Sequence, residues 1–427
     1  MRKRTGVGII GYGTVGSGVY HILTTKTRKL STLAGINIEV VKVADKYLER
    51  MQGEVPSSLI TTDAYKVINN PDIDIVVEVI GGIEPAYTFI KTALENKKHV
   101  VTANKALMAS RGGALLGLAE RNGVDLYFEA SVGGGIPIIM PLKHCLAGNT
   151  IYRVMGIVNG TTNYILTKMA DEGVSFGEAL KQAQAHGFAE ADPSADVEGH
   201  DAAAKIAILA SIAFNSRITA DKVYTEGITG ITYQDIVYAR EMGYIIKLLS
   251  LAKADEDGID VRVHPAMIPE KHPLASVAGV MNAIFVEGDA VGEVMFYGPG
   301  AGRLPAASAV VGDVFEIAQN IHLNKLGSMA CGCFERKEIK PVEKTASRFY
   351  MRLEAVDRSG VLAKISKALG DSEVSIETAI QKFSSGDRAE LVFGTHLVKE
   401  QNLQKAIKKI KKLDVVTKIH NVIRVEG

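Results

Sequence analysis

A glycine-rich turn near the start of the chain constrains its fold more than any other feature. Residues 7–10 form a short apolar run, residues 11–16 read GYGTVG, and apolar residues at helical spacing follow, which predicts a strand, a turn and a helix. In such a unit the first glycine makes the turn, the second lets the backbone approach a pyrophosphate, and the third lets the helix pack on the strand. The residues expected around a bound dinucleotide are Gly11, Tyr12, Gly13, Thr14, Val15 and Gly16.

The turn alone is weak evidence, because glycine-rich turns also occur as plain connections. Its surroundings support the interpretation, since strands and helices alternate after it. Alternation of this kind is typical of a parallel, doubly wound α/β sheet, and we therefore predict a Rossmann-like domain over residues 1–132. The further strands are predicted at residues 38–44, 73–80, 99–103 and 124–129, with helices at 87–96 and 106–121.

Asp45 ends the second predicted strand, where an acidic residue binds the adenosine ribose hydroxyls of NAD. Lys46 follows it and would suit the 2′-phosphate of NADP, whereas a solvated Asp-Lys pair is the plain alternative. The spacing from the glycine turn to Asp45 exceeds the usual value of about 20 residues, so we expect a long connection between them. NAD, NADP or both remain open as cofactors.

The composition excludes several classes of protein. The 427 residues exceed what one core usually holds, and 47% apolar residues with a net charge of +1 are typical of a globular enzyme, not of a nucleic-acid-binding protein. No apolar run reaches the roughly 18 residues of a membrane span, so we expect a cytoplasmic protein. The cysteines Cys145, Cys331 and Cys333 are too few for a disulfide framework and are expected to be free thiols.

A glycine-rich stretch at residues 133–137 marks the expected boundary with a second, α+β domain that extends to residue 333. This domain is expected to be catalytic and to form the dimer. Another glycine cluster, at residues 298–302, brings in Gly302 as a further candidate for cofactor contact, and the helix after it, at 306–320, is expected to pack on the first domain. The other elements predicted here are strands at 152–158, 261–267 and 283–286 and helices at 164–172, 176–186 and 201–214.

A polar linker at residues 334–347 precedes a last domain, 348–427, with the element order β-α-β-β-α-β of a ferredoxin-like module. Its strands are predicted at 349–356, 376–381, 389–396 and 417–425, and its helices at 361–369 and 403–413. The basic helix at 405–412 is interpreted as a solvated amphipathic face and not as a site for a polyanion.

Three groups of residues carry candidate chemistry. Lys105 follows a predicted strand, at the edge where open α/β sheets bind ligands, although a surface lysine is equally common there. Asp201 and Lys205 lie four apart on an otherwise apolar helix and share a face, either as a buried structural pair or as positioned functional groups. Glu190, Asp192 and Asp196 occupy the loop before that helix, where one carboxylate could bind a substrate ammonium.

With these residues identified, the chain closely resembles homoserine dehydrogenase over nearly its whole length. The resemblance is carried by the glycine turn, by Thr102-Ala103-Asn104-Lys105, and by GIVNGTTNYIL, GFAEADPSADVEGHDAAAK and GPGAGRLPAASAVVGD, which begin at residues 156, 187 and 298. Residues 348–427 resemble an ACT domain, with DRSGVL at 357–362 as its first strand-to-helix loop.

The resemblance implies interconversion of L-aspartate 4-semialdehyde and L-homoserine with NAD(P), in threonine, isoleucine and methionine biosynthesis. The two active-site lysines of the family fall on Lys205, as the group that exchanges a proton with the substrate oxygen, and Lys105, which polarises that oxygen and orients cofactor and substrate. Residues that match substrate contacts are Glu190 for the amino group, Asp201 behind it, and Gly160 and Thr161 at a helix start, with Asp196 as a further candidate.

Two departures from the family pattern stand out. Phe188 replaces a tyrosine found in many relatives, so a hydroxyl contact to substrate is lost or replaced. Asp45 lacks the arginine that often accompanies NADP preference, which favours use of NAD. A monovalent cation, usually Na⁺, maps onto the backbone of Glu129, Val132, Gly134 and Ile136, where it would order the hinge without doing chemistry.

The ACT domain implies an amino-acid effector, most simply threonine, bound at a module-module interface by the loop that contains Asp357, Ser359, Gly360 and Val361. A dimerisation module without a ligand is the alternative. We expect a homodimer or homotetramer. Two other functions stay open, namely a different amino-acid or semialdehyde dehydrogenase on the same scaffold, or a sensor of amino acids without turnover.

Overall fold

The computed structural model describes residues 4–327 and 332–427; Cys331 lies outside this range. The chain divides into two compact units. The first unit comprises the residues up to Val158 together with Ala204–Lys222 and Met281–Lys337, and the second comprises Asn159–Ala203, Val223–Val280 and Glu338–Gly427. The domain limits predicted at residues 132, 333 and 347 stay a prediction.

The helices are α1 Thr14–Thr25, α2 Thr27–Ala34, α3 Tyr65–Ile68, α4 Ala86–Glu95, α5 Lys105–Asn122, α6 Gly160–Glu172, α7 Phe176–Ala185, α8 Ser194–Val197, α9 His200–Ala213, α10 Tyr233–Glu241, α11 Arg303–His322, α12 Val361–Gly370 and α13 Glu400–Ile410. The strands are β1 Arg4–Ile10, β2 Asn37–Ala44, β3 Ile60–Thr61, β4 Ile75–Glu78, β5 His99–Thr102, β6 Leu126–Tyr127, β7 Ile151–Ile157, β8 Tyr224–Thr225, β9 Tyr244–Asp255, β10 Gly258–Pro269, β11 Met281–Gly288, β12 Gly292–Pro299, β13 Ala346–Val356, β14 Ile376–Ser385, β15 Arg388–Thr395, β16 Val398–Lys399 and β17 Val416–Val425.

The first unit contains a parallel six-stranded sheet in the order β3-β2-β1-β4-β5-β6. This is the strand order of doubly wound dinucleotide-binding folds, so the predicted Rossmann-like sheet is confirmed. Helix α11 packs against α1 so closely that a Cβ on Gly18 would lie 2.5 Å from the carbonyl oxygen of Arg303. The same unit holds an antiparallel group in which β11 pairs with both β7 and β12.

The second unit combines a long hairpin with the ferredoxin-like domain. Strands β9 and β10 pair antiparallel along their whole length, and the C-terminal domain forms a sheet in the order β17-β13-β15-β14. The buried apolar side chains of this sheet and of α12 and α13 form one core. Strand β17 also pairs parallel to β10, with Ala266 opposite Arg424. The predicted ACT-like β-α-β-β-α-β order is confirmed, with β16 as a short addition.

Several elements differ from the predictions. Strand β9 was not predicted, because its residues are buried on both faces and show no alternation. Strand β12 was not predicted and includes the first two residues of the glycine cluster, Gly298 and Pro299. Helix α11 begins at Arg303, three residues earlier than predicted. Helix α2 accounts for the long connection before Asp45. No helix among the described residues has the length and apolarity that crossing a membrane requires.

Candidate active site

The three glycines of the turn after β1 have distinct surroundings. Gly11 has φ +105° and donates from its backbone nitrogen to the Ala44 carbonyl at 2.8 Å. A Cβ on Gly13 would meet nothing within 4 Å, whereas a Cβ on Gly16 would lie 1.9 Å from the Gly11 carbonyl oxygen. The turn therefore leaves open space at Gly13, and α1 begins directly beyond it at Thr14. A pyrophosphate at this helix start would meet backbone N–H groups and the positive end of the helix dipole.

A cavity of about 450 Å³ adjoins this turn and is lined by Gly11, Gly13 and Asp45. The Asp45 carboxylate accepts hydrogen bonds from the backbone nitrogens of Tyr12 at 2.6 Å and Tyr47 at 2.8 Å. The Asp45 carboxylate follows β2 directly, which is the position where doubly wound folds bind the adenosine ribose. Gly302 is at the start of α11 and outside this cavity, but the adjacent Arg303 donates to the Ser17 hydroxyl on α1 at 3.0 Å.

An arginine lies beside Asp45, so the expectation that none accompanies it is wrong. Arg50 places Nη1 3.9 Å from Asp45 Oδ1 and stacks over the Tyr47 ring, with 4.3 Å between its guanidinium carbon and the ring centroid. Arg50 and Lys46 both line the cavity. Arg50 was not predicted from the sequence, because it reaches the end of β2 through a short 3-10 helix at Leu48–Arg50.

Lys105 is the first residue of α5 and is half-buried. Its position is fixed by Asn104, which caps α5 by accepting from the Leu107 nitrogen at 3.1 Å and donates to the Gly82 carbonyl at 2.6 Å. At the adjoining end of β5, Thr102 donates to the buried Glu78 carboxylate at 2.7 Å. Lys105 therefore lies at the carboxyl edge of the sheet, where ligands of such sheets bind.

Lys205 lies on α9 and is only 9% exposed. Its ammonium donates to the Val158 carbonyl oxygen at 2.6 Å, directly after β7. Asp201 precedes it by four residues on the same helix, so both side chains are on one helical face. A lysine held by a backbone carbonyl inside an apolar helix is a positioned cation, and it is suited to exchanging a proton with a nearby oxygen.

Within the second unit, Asn159 joins two of the predicted substrate carboxylates. Its side-chain amide donates to Asp196 at 2.6 Å and to Asp201 at 2.9 Å, and its side-chain oxygen caps α6 by accepting from the Thr162 nitrogen at 2.9 Å. Asn159 was not among the residues predicted from the sequence. An asparagine directly before a helix start is a recognisable cap, but its contacts with the aspartates were not predictable.

The remaining substrate candidates surround the start of α6. Gly160 is its first residue, and the Thr161 hydroxyl donates to the Phe188 carbonyl at 2.7 Å. The Phe188 ring packs on Tyr164, with 5.0 Å between ring centroids, so it replaces a hydroxyl with an aromatic contact. Glu190 is exposed, and Asp192 is occupied by hydrogen bonds from Ser194. Asp192 is also exposed, but unlike Glu190 it already accepts two hydrogen bonds from its neighbour Ser194.

The expected cation-binding turn begins at a buried carboxylate. Glu129 accepts hydrogen bonds from the backbone nitrogens of three consecutive residues, 138–140, at 2.5–2.7 Å. Its own nitrogen donates to Asp313 at 2.9 Å, and burial raises the pKa of both carboxyls. Among the described residues, no group of three or more His, Cys, Asp or Glu side chains could hold a metal.

The backbone of this turn folds tightly. Gly133 and Gly134 have φ of +72° and +55°, and a Cβ on Gly134 would lie 2.3 Å from the Gly300 carbonyl oxygen. The Ile136 nitrogen donates to the Gly133 carbonyl at 2.9 Å. Val132 and Ile136 are buried. Backbone carbonyl oxygens are hard donors of the kind that oxygen-binding cations take, and this turn is built from backbone groups beside the buried Glu129 carboxyl.

In the ACT domain, the predicted effector loop joins β13 to α12. Gly360 has φ +86° and directly precedes α12, and Val361 is packed in the core. Asp357 accepts from the Gln381 side chain at 3.4 Å, and its nitrogen donates to the Asp387 carbonyl at 2.7 Å. Ser359 is exposed in the same loop. The loop thus presents backbone and side-chain polar groups at a helix start.

Among the described residues, Cys145 and Cys333 form no disulfide, and the Cys333 thiol donates to the Ser211 carbonyl oxygen at 3.8 Å.

Comparison with known proteins identifies the family of each part of the chain. Residues 11–129 match the NAD-binding domain of homoserine dehydrogenase, residues 137–315 match homoserine dehydrogenase itself, and residues 349–415 match the ACT domain. The homoserine dehydrogenase of Bacillus subtilis is 43% identical, with 100% of this chain and 99% of the relative covered.

Solved structures agree. A homoserine dehydrogenase from Thiobacillus denitrificans superimposes with a TM-score of 0.95 at 42% identity, covering 100% of this chain and 99% of that one. A hyperthermophilic archaeal homoserine dehydrogenase mutant in complex with NADPH gives a TM-score of 0.63 at 27% identity, covering 74% of this chain and 97% of that one. The chain belongs to the homoserine dehydrogenase family and is an NAD(P)-dependent oxidoreductase.

Proposed function

We propose that the chain catalyses the reversible reduction of L-aspartate 4-semialdehyde to L-homoserine, a step toward threonine, isoleucine and methionine. The observation that carries the proposal is the buried Lys205 ammonium, held 2.6 Å from the Val158 carbonyl and one helical turn from Asp201. When bound, the nicotinamide ring supplies or accepts the hydride. The protein must then bind the amino acid, orient its carbonyl and move one proton.

Lys205 moves that proton. In the direction of reduction its ammonium protonates the substrate oxygen as negative charge develops there, and in the reverse direction the neutral amine removes the hydroxyl proton. Two features support this role: Lys205 is only 9% exposed, and its ammonium donates a hydrogen bond to the Val158 carbonyl. A proton donor fixed in this way needs little reorganisation during the reaction.

Lys105 stabilises the charge on the same oxygen and orients the reactants. Its position at the start of α5 supports this role, because the Asn104 cap and its bond to Gly82 fix the backbone that carries it. A cation placed where negative charge develops contributes most in the transition state. Replacing it is therefore expected to lower kcat more than it weakens substrate binding.

Substrate recognition is assigned to the second unit. The exposed Glu190 carboxylate binds the substrate ammonium, while Gly160 and Thr161 present the start of α6 to the substrate carboxylate. Asp196 and Asp201 are held by Asn159 and position this arrangement, with Asp196 as a further candidate for direct contact. These assignments suit a small zwitterion.

Homoserine-dependent reduction of NAD and of NADP by the purified protein tests the proposal. Lys205→Ala and Lys105→Ala should each lower kcat at least about 100-fold, the usual contribution of a positioned proton-transfer group. Lys222→Ala is the matched control, because that lysine is 63% exposed and lies outside the site. A folded wild-type protein without turnover on homoserine would favour a related dehydrogenase if another semialdehyde is reduced, or an amino-acid sensor if none is.

Both nicotinamide cofactors are proposed to bind, with different partners for the ribose. Asp45 binds the 2′-hydroxyl of NAD, whereas Arg50 and Lys46 contact the 2′-phosphate of NADP. The cavity that these three residues line supports dual use, and the archaeal relative in complex with NADPH supports NADP as one of the two.

A monovalent cation, most simply Na⁺, is proposed to bind the carbonyl oxygens of Glu129, Val132, Gly134 and Ile136. It would order the turn without taking part in the chemistry.

For the assembly we propose a homodimer or homotetramer. The edge strand β12 supports a subunit contact, because Met295 and Tyr297 lie on one face of it and are 38% and 55% exposed. Light scattering of the wild type and Tyr297→Asp tests this assembly.

Threonine is proposed as the effector, bound by the ACT loop at Asp357, Ser359, Gly360 and Val361. The exposed polar groups of this loop beside the start of α12 support binding of a small amino acid. Asp357→Asn should weaken inhibition by threonine without changing the uninhibited rate, and Asp371→Asn, elsewhere in the same domain, is the control. Inhibition by another amino acid, or by none, would replace threonine or leave dimerisation as the role of the domain.

A further inference from the structure

We infer that Arg424, on the last strand of the ACT domain, is a positioning residue for the substrate-binding carboxylates and acts through Glu226. The inference rests on the proposed function for the assignment of Asp196 and Asp201 to substrate binding. It gives the ACT domain a part in building the site, in addition to any binding of an effector. All residues involved belong to the second unit.

The first link is the buried guanidinium of Arg424. Its Nη1 donates to Glu226 Oε2 at 2.7 Å, while Nε and Nη2 form a two-point contact with Glu400 at 3.0 and 3.1 Å. Nη2 also donates to the Tyr224 hydroxyl at 3.2 Å. Only 6% of the Arg424 side chain is exposed, against 39% for Glu226. Glu400, on α13, thus fixes the arginine, and the arginine fixes Glu226.

The second link runs along the backbone after Glu226. The Ile228 nitrogen donates to the Val197 carbonyl at 2.9 Å, and a Cβ on Gly227 would lie 2.3 Å from that same oxygen. A Cβ on Gly199, which has φ +87°, would lie 3.0 Å from the Thr225 side chain. Residues 225–228 therefore pack directly on residues 197–199, without room for a shift of either segment.

The third link is the short turn itself. Residues 197–199 connect the end of α8, which carries Asp196, to the start of α9, which carries Asp201. Asn159 binds both carboxylates, so their separation depends on this turn. Three contacts therefore lead from Arg424 to the two aspartates: the Glu226 ion pair, the Ile228 hydrogen bond and the turn at Gly199.

Stability alone does not account for the arginine. Buried ion pairs contribute little net stability compared with apolar residues of similar volume, and β17 is already held to β10 by backbone pairing, including the Glu426 nitrogen to the Met267 carbonyl at 2.9 Å. A guanidinium with several fixed donors does supply orientation, since its planar geometry sets where each carboxylate lies. The pair with Glu226 is suited to that task.

Glu226→Ala is the variant of choice, because Arg424 keeps Glu400 as its partner and no buried charge is left alone. We expect the KM for homoserine to rise about 10-fold, with kcat changed less than about 3-fold and the KM for the nicotinamide cofactor unchanged. Glu226→Gln, which can still accept from Arg424, should recover part of the loss. Glu354→Ala is the control, since Glu354 forms an ion pair with Arg388 at 2.8 Å elsewhere in the second unit.

Two further measurements test the role of Arg424 separately from the proposed function. Arg424→Lys loses the contact with Glu226, so its effect on KM should not add to that of Glu226→Ala. Hydrogen exchange in the ligand-free protein should be faster at residues 194–203 in Glu226→Ala and unchanged in Glu354→Ala. Normal exchange or an unchanged KM in Glu226→Ala would overturn the inference, whereas absent turnover in the wild type would overturn only the proposed function.

Discussion

Asn159 donates a hydrogen bond from its side-chain nitrogen to the Asp201 carboxylate over 2.9 Å. Both side chains are buried, with 5% and 8% exposure. Asn159, which caps α6, therefore also donates to an aspartate at the start of α9. One side-chain amide thus connects two helices that carry proposed substrate contacts.

Asn159→Ala should lower both stability and activity. Loss of the cap costs about 1 kcal/mol, and loss of the hydrogen bond to the charged Asp201 carboxylate costs about 1.5–3 kcal/mol more. We expect kcat/KM for homoserine to fall about 10- to 100-fold. Ser175→Ala is the control, because Ser175 caps α7 in an exposed capping box; it should lose similar helix stability and no activity. Equal activity in the two variants would remove Asn159 from the site.

Arg50→Ala should change cofactor choice. A hydrogen bond to a charged group contributes about 1.5–3 kcal/mol, so the KM for NADP should rise roughly 10- to 100-fold while that for NAD changes little. Steady-state rates with each cofactor measure the ratio. Arg28→Ala, at an exposed position of α2, should leave both values unchanged. A similar rise in KM for NAD and NADP would show that Arg50 supports the structure of the cavity and does not bind the 2′-phosphate.

Stability should depend on pH through Lys247. Burial lowers its pKa from the usual 10.5 to about 8, while its ammonium donates to Asn163 Oδ1 at 3.0 Å and to the Val277 carbonyl at 2.5 Å. Between these two values the unfolded chain holds a proton that the folded chain has lost, so stability rises with pH. The gain is at most about 1.4 kcal/mol per pH unit and about 3 kcal/mol in total.

Urea unfolding of the wild type and Lys247→Met at pH 7.5, 8.5 and 9.5 measures this effect. The wild type should gain stability relative to the variant at each step, since all other titrating groups are shared. Lys222→Met, at an exposed position, should run parallel to the wild type. A difference between wild type and Lys247→Met that is constant with pH would mean that Lys247 keeps its ordinary affinity for protons.

Gly134→Ala should weaken the response to monovalent cations. The added Cβ would overlap the Gly300 carbonyl in a left-handed conformation, which alone costs about 1 kcal/mol. More Na⁺ should then be needed for half-maximal activity. Gly148→Ala is the control, because its Cβ would meet nothing within 4 Å. Activity that is independent of Na⁺ and K⁺ in the wild type would argue against a cation at this turn.

The fold was predictable where the signals are local. The glycine turn at residues 11–16 and the buried strands after it lie close together in the sequence, so their period and spacing sufficed. Strand β9 was not predicted, because burial on both faces removes the alternation that marks a strand. Lys247, near its start, also interrupts the apolar run. The β10 partner of β17 could not be predicted, since about 150 residues separate them and no local signal encodes the pairing.

The residues of the candidate site were likewise predictable only where the signal is local in the sequence. Lys105, Lys205 and the carboxylates of residues 190–201 were found through their motifs, which are contiguous. Arg50 and Asn159 were missed because their roles come from contacts with side chains that the fold brings back, in the case of Asn159 from 37 and 42 residues away. The pair of Arg424 with Glu226 spans 198 residues, beyond the reach of any spacing rule.

The parallel pairing of β10 with β17 has a consequence for the newborn chain. Ala266 and Met267 leave the ribosome well before their partners Arg424 and Val425, since the end of β17 at Val425 follows the end of β10 at Pro269 by 156 positions. At about 5–20 residues per second, translation of that interval takes roughly 8–30 s. During this time part of the β10 edge is unpaired and can join other strands, so slower synthesis should favour aggregation of the nascent protein.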